Sequence, residues 1–200
     1  MAKGFLLVVS GPSGCGKGTI CNKLLQRNKD FVFSVSATTR KPRNGEKEGI
    51  NYFFIDDKKF EKMIEDNEFI EYAKVHNNYY GTPKNFVLNE INKGKIVILE
   101  IDVQGALQVK KVYPEAIFIF LLPPSMRELK NRIIKRGTET EEDINIRYKN
   151  AFGELKFINE YDYFVINDKV AEAVEKVEAI ITAEKLKVKR HKNILEEIIF

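Results

Sequence analysis

The stretch FLLVVSGPSGCGKGT, residues 5–19, decides the fold of this chain. Its leading apolar run predicts a buried strand, and the residues that follow the stretch have a helical pattern. Gly11, Gly14 and Gly16 let the backbone turn tightly between strand and helix, so that its N–H groups can face phosphate oxygens. The sequence therefore predicts a phosphate-binding loop for a nucleoside triphosphate.

Within this loop, Lys17 supplies a mobile positive charge for the β- and γ-phosphates. Gly18 stands where such loops usually carry a Ser or Thr that touches Mg²⁺, and Thr19 comes one residue later. We therefore expect Mg²⁺, the one predicted cofactor, to be held by the phosphates of the nucleotide and by water. The residues of the loop predicted to bind the triphosphate, which the family resemblance given below implies is ATP, are Gly11, Pro12, Ser13, Gly14, Cys15, Gly16, Lys17, Gly18 and Thr19.

The overall composition predicts one compact domain with its own core, because the chain has 200 residues and is 44% hydrophobic. The net charge of +4, from 33 basic and 29 acidic residues, favours local anion sites over a surface for nucleic acid. The longest apolar run, residues 116–122, is far shorter than the roughly 20 residues that span a bilayer.

The cysteines and the N-terminal segment predict where the protein works. Cys15 and Cys21 lie in the loop and on the next helix, so no structural disulfide is expected, which suits a reducing cytosol. Five apolar residues before Ser10 are too few for a secretory signal. We expect a cytoplasmic protein without nucleic-acid or membrane partners, either a monomer or a homodimer.

Extended and helical patterns alternate along most of the chain, which predicts an α/β fold with a parallel sheet covered by helices. The apolar runs at 96–99 and 117–120 do not alternate with polar residues, so they should lie at the centre of the sheet. The predicted strands are 5–10, 31–37, 95–101, 116–122 and 163–166. The predicted helices are 17–28, 57–66, 103–112, 125–136, 141–160 and 170–187.

Two segments interrupt the alternation, and both carry arginines. Residues 38–56 and the short aromatic pieces of 51–82 indicate an insertion with its own small sheet. The segment from Pro123 to about Gly153 predicts a helical hairpin that could close over a triphosphate. A guanidinium binds phosphate in a bidentate manner, so two groups of arginines imply two phosphate-bearing substrates. These arginines are Arg40 and Arg43 in the first segment and Arg132, Arg136 and Arg147 in the second.

The chain resembles the guanylate kinase family from the loop to about residue 187. Its Gly-Lys-Gly-Thr variant of the loop is similar to that of nucleoside monophosphate kinases. The matching stretches are residues 10–19, 33–46 (FSVSATTRKPRNGE), 67–72 (NEFIEY), 78–82 (NYYGT), 99–105 (LEIDVQG) and 136–140 (RGTET). The resemblance implies a P-loop core of three layers, with an inserted GMP-binding lobe, a helical lid and the reaction of ATP with GMP to give ADP and GDP.

The resemblance also implies a division of the single domain 1–200. The core would comprise residues 1–33, 84–123 and 154–187, the GMP-binding lobe 34–83 and the lid 124–153. Residues 188–200 extend beyond the clear match, and their apolar side chains would pack either on the core or on another subunit. ATP and GMP, with dGMP as a further acceptor, are the expected partners.

Ten residues are predicted to bind GMP, most of them because the resemblance places them where the family binds it. Arg40, Arg43, Tyr52 and Tyr80 fall at the GMP phosphate, and Ser36, Glu71 and Thr82 at the base. Glu46, which follows in the same matching stretch, and Glu100 are assigned to GMP as further polar contacts. Asp102 follows an apolar strand at the sheet edge where ligands bind, and would orient waters of Mg²⁺ or an incoming arginine.

An argument independent of the family supports Glu71 as the residue that selects guanine. An ionised carboxylate accepts from both the N1–H and the 2-amino group of guanine, whereas adenine offers a lone pair at N1 and has no 2-amino group. A site of this kind can discriminate by roughly 10⁴–10⁵. Ser36 and Thr82 can donate to O6 or accept from the amino group, and the sequence leaves both assignments open.

On the ATP side, the resemblance places Asn167 and Asp168 near adenine, although a turn that starts the next helix explains them equally well. Arg132 and Arg136 are assigned to ATP, and Lys17, Arg40, Arg136 and Arg147 are the predicted catalytic residues. Direct in-line transfer is expected, without a covalent enzyme intermediate. Two alternatives remain at this point: a non-catalytic protein-binding module of the same fold, and a kinase for another nucleoside monophosphate.

Overall fold

A five-stranded parallel sheet forms the centre of the molecule in the computed structural model, which describes residues 4–75, 77–135 and 141–191. Its strand order is β2-β7-β1-β8-β9. The strands are β1 (Phe5–Ser10), β2 (Phe31–Phe33), β7 (Ile96–Glu100), β8 (Ile117–Leu122) and β9 (Tyr163–Ile166). Strand β1 is central and pairs with β7 and β8, which contain the apolar runs 96–99 and 117–120, so the phosphate loop leaves the middle of the sheet.

Helices cover both faces of this sheet, as the apolar strands require. On one face, α1 (Lys17–Arg27) and α7 (Val170–Lys185) pack on Leu7, Ile98 and Ile119. On the other face, α3 (Lys84–Asn92) and α4 (Val103–Val112) pack on Leu6, Val97 and Phe118. The expected three-layer α/β arrangement is therefore confirmed.

A second, four-stranded sheet follows the first interruption of the pattern, with the order β4-β3-β6-β5. Around it, α2 (Asp57–Glu65) contributes Phe60, which stacks on Phe69 at 4.4 Å and on Tyr79 at 5.1 Å between ring centroids. This aromatic cluster gives the insertion its own small core. The strands are β3 (Ala37–Thr38), β4 (Phe53–Phe54), β5 (Phe69–Val75) and β6 (Asn78–Pro83).

The helical hairpin consists of α5 (Met126–Lys135) and α6 (Glu141–Glu154). Leu129 and Ile133 of α5 pack against Ala151 of α6, which holds the two helices together. At the start of α5, the Glu128 N–H donates to Ser125 Oγ at 3.1 Å, so Ser125 caps the helix.

Two predicted elements differ in extent by more than two residues from the observed ones, and one helix was missed. The predicted strand 31–37 is split, because after the Ser34 N–H bonds to the Ile98 carbonyl the chain leaves the central sheet and residues 37–38 join the second one. The predicted helix 141–160 ends at 154 and continues as a 3₁₀ segment, Leu155–Glu160. Helix α3 was not predicted at all.

Beyond α7, a short 3₁₀ segment (Val188–Arg190) is tied back to the core. Glu184 is fully buried and accepts hydrogen bonds from Tyr163, Lys187 and Arg190. The Arg190 guanidinium also lies over the Phe5 ring, 4.5 Å from its centroid. Arg190 of the predicted C-terminal extension therefore contacts the core, whereas Val188 is exposed, and residues 192–200 lie outside the described part.

Within the described part of the chain, no helix has both the length and the apolar character needed to cross a membrane.

Candidate active site

The phosphate loop adopts the backbone that its glycines predict. Gly11, Gly14 and Gly16 have φ values of 140°, 90° and 94°, a region that side chains disfavour. Space is limiting as well, because a Cβ on Gly16 would lie 2.4 Å from Asn167 Nδ2 and one on Gly11 would lie 2.2 Å from the Leu121 carbonyl oxygen. The loop conformation therefore depends on these glycines.

Lys17 begins α1 and folds back over the loop. Its Nζ donates to the carbonyl oxygens of Gly11 at 2.6 Å and of Pro12 at 3.2 Å. The side chain is half-buried, so its charge stays close to the loop N–H groups that would face a phosphate. This arrangement places a cation and backbone donors around the same space.

Gly18, the departure from the usual loop, faces a carboxylate. A Cβ at this position would lie 3.3 Å from Glu100 Oε2, at the end of β7. A longer side chain here would compete with Glu100 for space, which gives the glycine a steric reason. The structure thus places Glu100 beside the phosphate loop, and its predicted contact toward GMP stays a prediction.

A cleft of about 290 Å³ opens beside the loop and collects the charged groups. It is lined by Gly11, Ser13, Lys17, Glu100, Ile101, Asp102 and Glu154. One lysine and three carboxylic acids therefore face the same space, at the carboxyl edge of the parallel sheet where α/β proteins bind ligands.

Glu154 lines the cleft, although the sequence analysis did not predict it as a site residue. It ends helix α6, so it brings the helical hairpin to the loop. Burial raises the pKa of Glu154, while the charge of Lys17 opposes this shift. No local sequence motif marks such a residue, because only the fold brings position 154 next to position 17.

Asp102 combines a structural role with its place in the cleft. It is the N-cap of α4, and its Oδ1 accepts from the Gly105 N–H at 2.8 Å. The residue is exposed toward the cleft side. The cap hydrogen bond therefore fixes the orientation of the Asp102 carboxylate beside the cleft.

The residues predicted to bind the acceptor phosphate come together around Arg40. Its guanidinium donates to Glu46 Oε1 at 2.9 Å, and Glu46 Oε2 accepts from the Arg43 N–H at 2.7 Å. The Tyr52 ring lies 5.5 Å from the Arg40 guanidinium carbon and 6.0 Å from the Tyr80 ring. The Glu46 bonds raise the pKa of Arg40, so this guanidinium stays charged.

The two predicted base-reading residues on neighbouring strands contact each other. The Thr82 hydroxyl donates to Glu71 Oε1 at 2.6 Å, and both residues are buried. A β-bulge between Phe69 and Glu71 shifts the register so that Glu71 pairs with Thr82. A bulge re-aims side chains, and this one was not predicted from the sequence.

The electrostatics of Glu71 are unusual for a glutamate. Burial raises its pKa from the ordinary value of 4.5, and the nearby charge of Asp102 adds to the shift, whereas the Thr82 hydrogen bond opposes it. A buried acceptor of this kind discriminates strongly among ligand donors, because an unpaired partner is costly there.

The hairpin and the loop are joined through Asn167, which follows β9. Arg132 Nη1 donates to the Asn167 carbonyl oxygen at 2.9 Å, and Asn167 Nδ2 donates to the Cys15 carbonyl oxygen at 2.8 Å. Asn167 is 2% exposed. It therefore braces the phosphate loop, a role that its predicted place near adenine did not include.

The remaining predicted residues differ in their exposure to solvent. Ser36 and Arg147 are half-buried, and Asp168 and Thr19 are exposed. Arg136 lies outside the described residues.

Burial raises the pKa of the Cys15 and Cys21 thiols, and both cysteines are free, as expected. Among the described residues, no group of three or more His, Cys, Asp or Glu could hold a metal ion.

The fold and the cleft define a class: a P-loop protein of the nucleoside monophosphate kinase type, with a triphosphate loop on the central sheet and an arginine-tyrosine cluster on an inserted one. Comparison with known proteins identifies the family within this class. The family model for guanylate kinase matches residues 3–184. A guanylate kinase of Clostridium tetani is 61% identical over 193 residues, covering 96% of this chain and 92% of that protein.

Two further comparisons also match guanylate kinases. A guanylate kinase of Caldanaerobacter subterraneus is 57% identical over 196 residues, covering 98% of this chain and 95% of that protein. The crystal structure of guanylate kinase from Anaplasma phagocytophilum superposes with a TM-score of 0.73 at 36% identity, covering 94% of this chain and 90% of that one. The chain belongs to the guanylate kinase family.

Proposed function

We propose that this protein transfers the γ-phosphoryl group of ATP to GMP, giving ADP and GDP. The single observation that carries the proposal is the buried Glu71 carboxylate, fixed by Thr82 on the same inserted sheet as the Arg40 cluster. Membership of the guanylate kinase family supports the same reaction.

The donor side of the reaction depends on the loop and its cation. ATP would place its phosphates against the loop N–H groups, with Lys17 moving from the loop carbonyls to the β- and γ-phosphates. Arg132, Arg136 and Arg147 of the helical hairpin would add positive charge to the transferring group. Lys17, Arg40, Arg136 and Arg147 are the residues proposed to act on the transition state.

Mg²⁺ is proposed as the cofactor, bound to the phosphates and to water rather than in a protein cage. The donor set supports this assignment, because Glu100 and Asp102 line the cleft with oxygen atoms that suit a hydrated Mg²⁺ ion. When bound, the ion would neutralise charge on the phosphate oxygens.

The acceptor side would hold GMP between two clusters on the inserted sheet. Arg40, Arg43, Glu46, Tyr52 and Tyr80 would bind and orient its phosphate, and Ser36, Glu71 and Thr82 its base. None of these contacts is assigned to the ribose 2′-hydroxyl, so dGMP should also serve as an acceptor. Closure of the lobe 34–83 and the lid 124–153 over the core would exclude water from the reacting phosphates.

A coupled assay of ADP release tests the proposal. The wild-type protein with Mg²⁺ and ATP is assayed alone and then with GMP, dGMP, AMP, UMP or TMP. ADP should appear only with GMP or dGMP. Equal turnover of AMP would refute the role of Glu71, and the absence of acceptor-dependent turnover would favour a non-catalytic binding module.

A further inference from the structure

Gly105, in the first turn of α4, lies between the two acids of the acceptor side. An ideal Cβ at this position would be 3.4 Å from Glu71 Oε2 and 3.5 Å from Asp102 Oδ1. Glu71 Oε1 is occupied by the Thr82 hydroxyl, and Asp102 Oδ1 is held by the Gly105 N–H itself. The Glu71 oxygen that faces Gly105 is therefore not the one that accepts from the Thr82 hydroxyl.

The backbone does not require a glycine at this position. Gly105 has no positive φ, unlike the glycines of the phosphate loop, and its Cβ would meet its neighbours only at ordinary contact distances. Gly81 provides the contrast, since a Cβ there would approach Phe69 to 2.9 Å. A glycine inside a helix is less favourable than an alanine, so Gly105 lowers stability although the backbone does not need a glycine there.

We propose that Gly105 is a specificity-determining residue that leaves room, beside the carboxylates of Glu71 and Asp102, for the 2-amino group of guanine. This inference rests on the proposed function and deepens it. A ligand group flanked by two carboxylate oxygens must donate hydrogen bonds, and the 2-amino group carries two N–H donors. A methyl group on residue 105 would occupy the space beside Glu71 Oε2 and keep the amino group from it.

The test compares GMP with IMP, which lacks only the 2-amino group, in the full-length protein and in Gly105→Ala. The ratio of kcat/KM for GMP to that for IMP should fall about tenfold or more, because a hydrogen bond to a charged group is lost for GMP alone. This ratio is independent of the concentration of active enzyme, so partial unfolding of the variant does not obscure it.

Gly153→Ala is the matched control. It lies in helix α6, and a Cβ there would meet no atom outside its own helix within 4 Å. Both variants should have a thermal midpoint at or above that of the wild type, and only Gly105→Ala should change the ratio. An unchanged ratio in Gly105→Ala would overturn the inference, and equal losses for GMP and IMP would show that Gly105 serves the packing of α4 on β5.

Calorimetric binding of GMP and IMP separates this inference from the proposed function. If the wild type binds GMP more tightly than IMP but transfers no phosphate, the reaction is wrong while the role of Gly105 can still be measured. The difference in affinity between the two ligands should then shrink about tenfold in Gly105→Ala. A difference that stays the same would contradict the inference.

Discussion

The phosphate loop and the base-reading pair differ in how the chain builds them. The loop is made of nine consecutive residues, and its donors are backbone N–H groups whose positions follow from glycine conformations. The pair Glu71 and Thr82 consists of side chains on two strands, brought into register by a bulge. The comparison teaches that a backbone site tolerates little change in conformation, whereas a side-chain site depends on individual polar atoms.

The largest effect is expected from Lys17→Met, which removes the loop cation. Turnover should fall by roughly 10³-fold, because the transferring phosphoryl group loses a preorganised positive charge. GMP binding, measured by calorimetry, should change little, because Arg40, Glu71 and Thr82 lie in the inserted lobe. Lys23→Met, on the same helix but exposed, is the control and should keep its rate. A near-normal rate for Lys17→Met would disprove the assignment.

Glu71→Gln removes the carboxylate from the base-reading pair. The amide cannot accept from both N1–H and the 2-amino group with a full charge, so kcat/KM for GMP should fall roughly 10²- to 10³-fold. The ATP affinity should stay the same. Glu65→Gln, an exposed glutamate at the end of α2, serves as the control in the same coupled assay. If GMP turnover survives in Glu71→Gln, another residue must read the base.

Arg40→Ala tests the phosphate cluster of the acceptor side. We expect kcat/KM for GMP to fall about 100-fold, since a bidentate charged contact is lost and Glu46 is left without its guanidinium partner. The neighbouring Lys41 is exposed, and Lys41→Ala should leave the steady-state kinetics unchanged. Equal effects of the two substitutions would reduce the role of Arg40 to general surface charge.

Thr82→Val sharpens the comparison within the pair, because it keeps the shape of the side chain and removes only the hydroxyl. Glu71 then loses the donor that holds Oε1, and kcat/KM for GMP should fall about tenfold. Thr82→Ser retains the hydroxyl and should stay near the wild-type value. If the valine and serine variants behave alike, the hydroxyl does not orient Glu71.

The smallest effect concerns stability and its pH dependence. Because burial raises the pKa of Glu71 in the folded state, this group favours folding below its ordinary pKa of 4.5, and that contribution is lost as pH rises through the raised pKa. Glu71→Gln should therefore be the more stable protein at neutral pH, by a few degrees in Tm. The difference in Tm between Glu71→Gln and the wild type should narrow as pH is lowered. If Glu71→Gln is less stable than the wild type at pH 7, burial does not raise the pKa of Glu71 as assigned.

The same contrast between the two regions explains how much of the molecule could be predicted from its sequence. The parallel sheet and the loop follow from apolar runs and local glycine spacing, which report on the nearest neighbours in the chain. Helix α3 escaped prediction because it begins after Pro83 without a side-chain cap and without an acid in its first turn. The residues that usually mark the start of a helix are therefore missing at α3.

The parts of the site that could not be predicted depend on tertiary contacts. The family resemblance identified Glu71 and Thr82 singly, but their mutual hydrogen bond needs the bulge in β5. Glu154 and the brace from Asn167 to Cys15 join residues more than a hundred positions apart. No spacing rule in the chain reports such pairs, because the sheet order and the hairpin decide them.

A crystal structure with GMP bound tests the central claim most directly, namely that one buried carboxylate selects the purine. The account predicts a Glu71 oxygen about 2.9 Å from N1 or the 2-amino nitrogen of guanine, within hydrogen-bond distance. A base whose N1 edge faces other residues, with the Glu71 side chain turned away from it, would contradict the account.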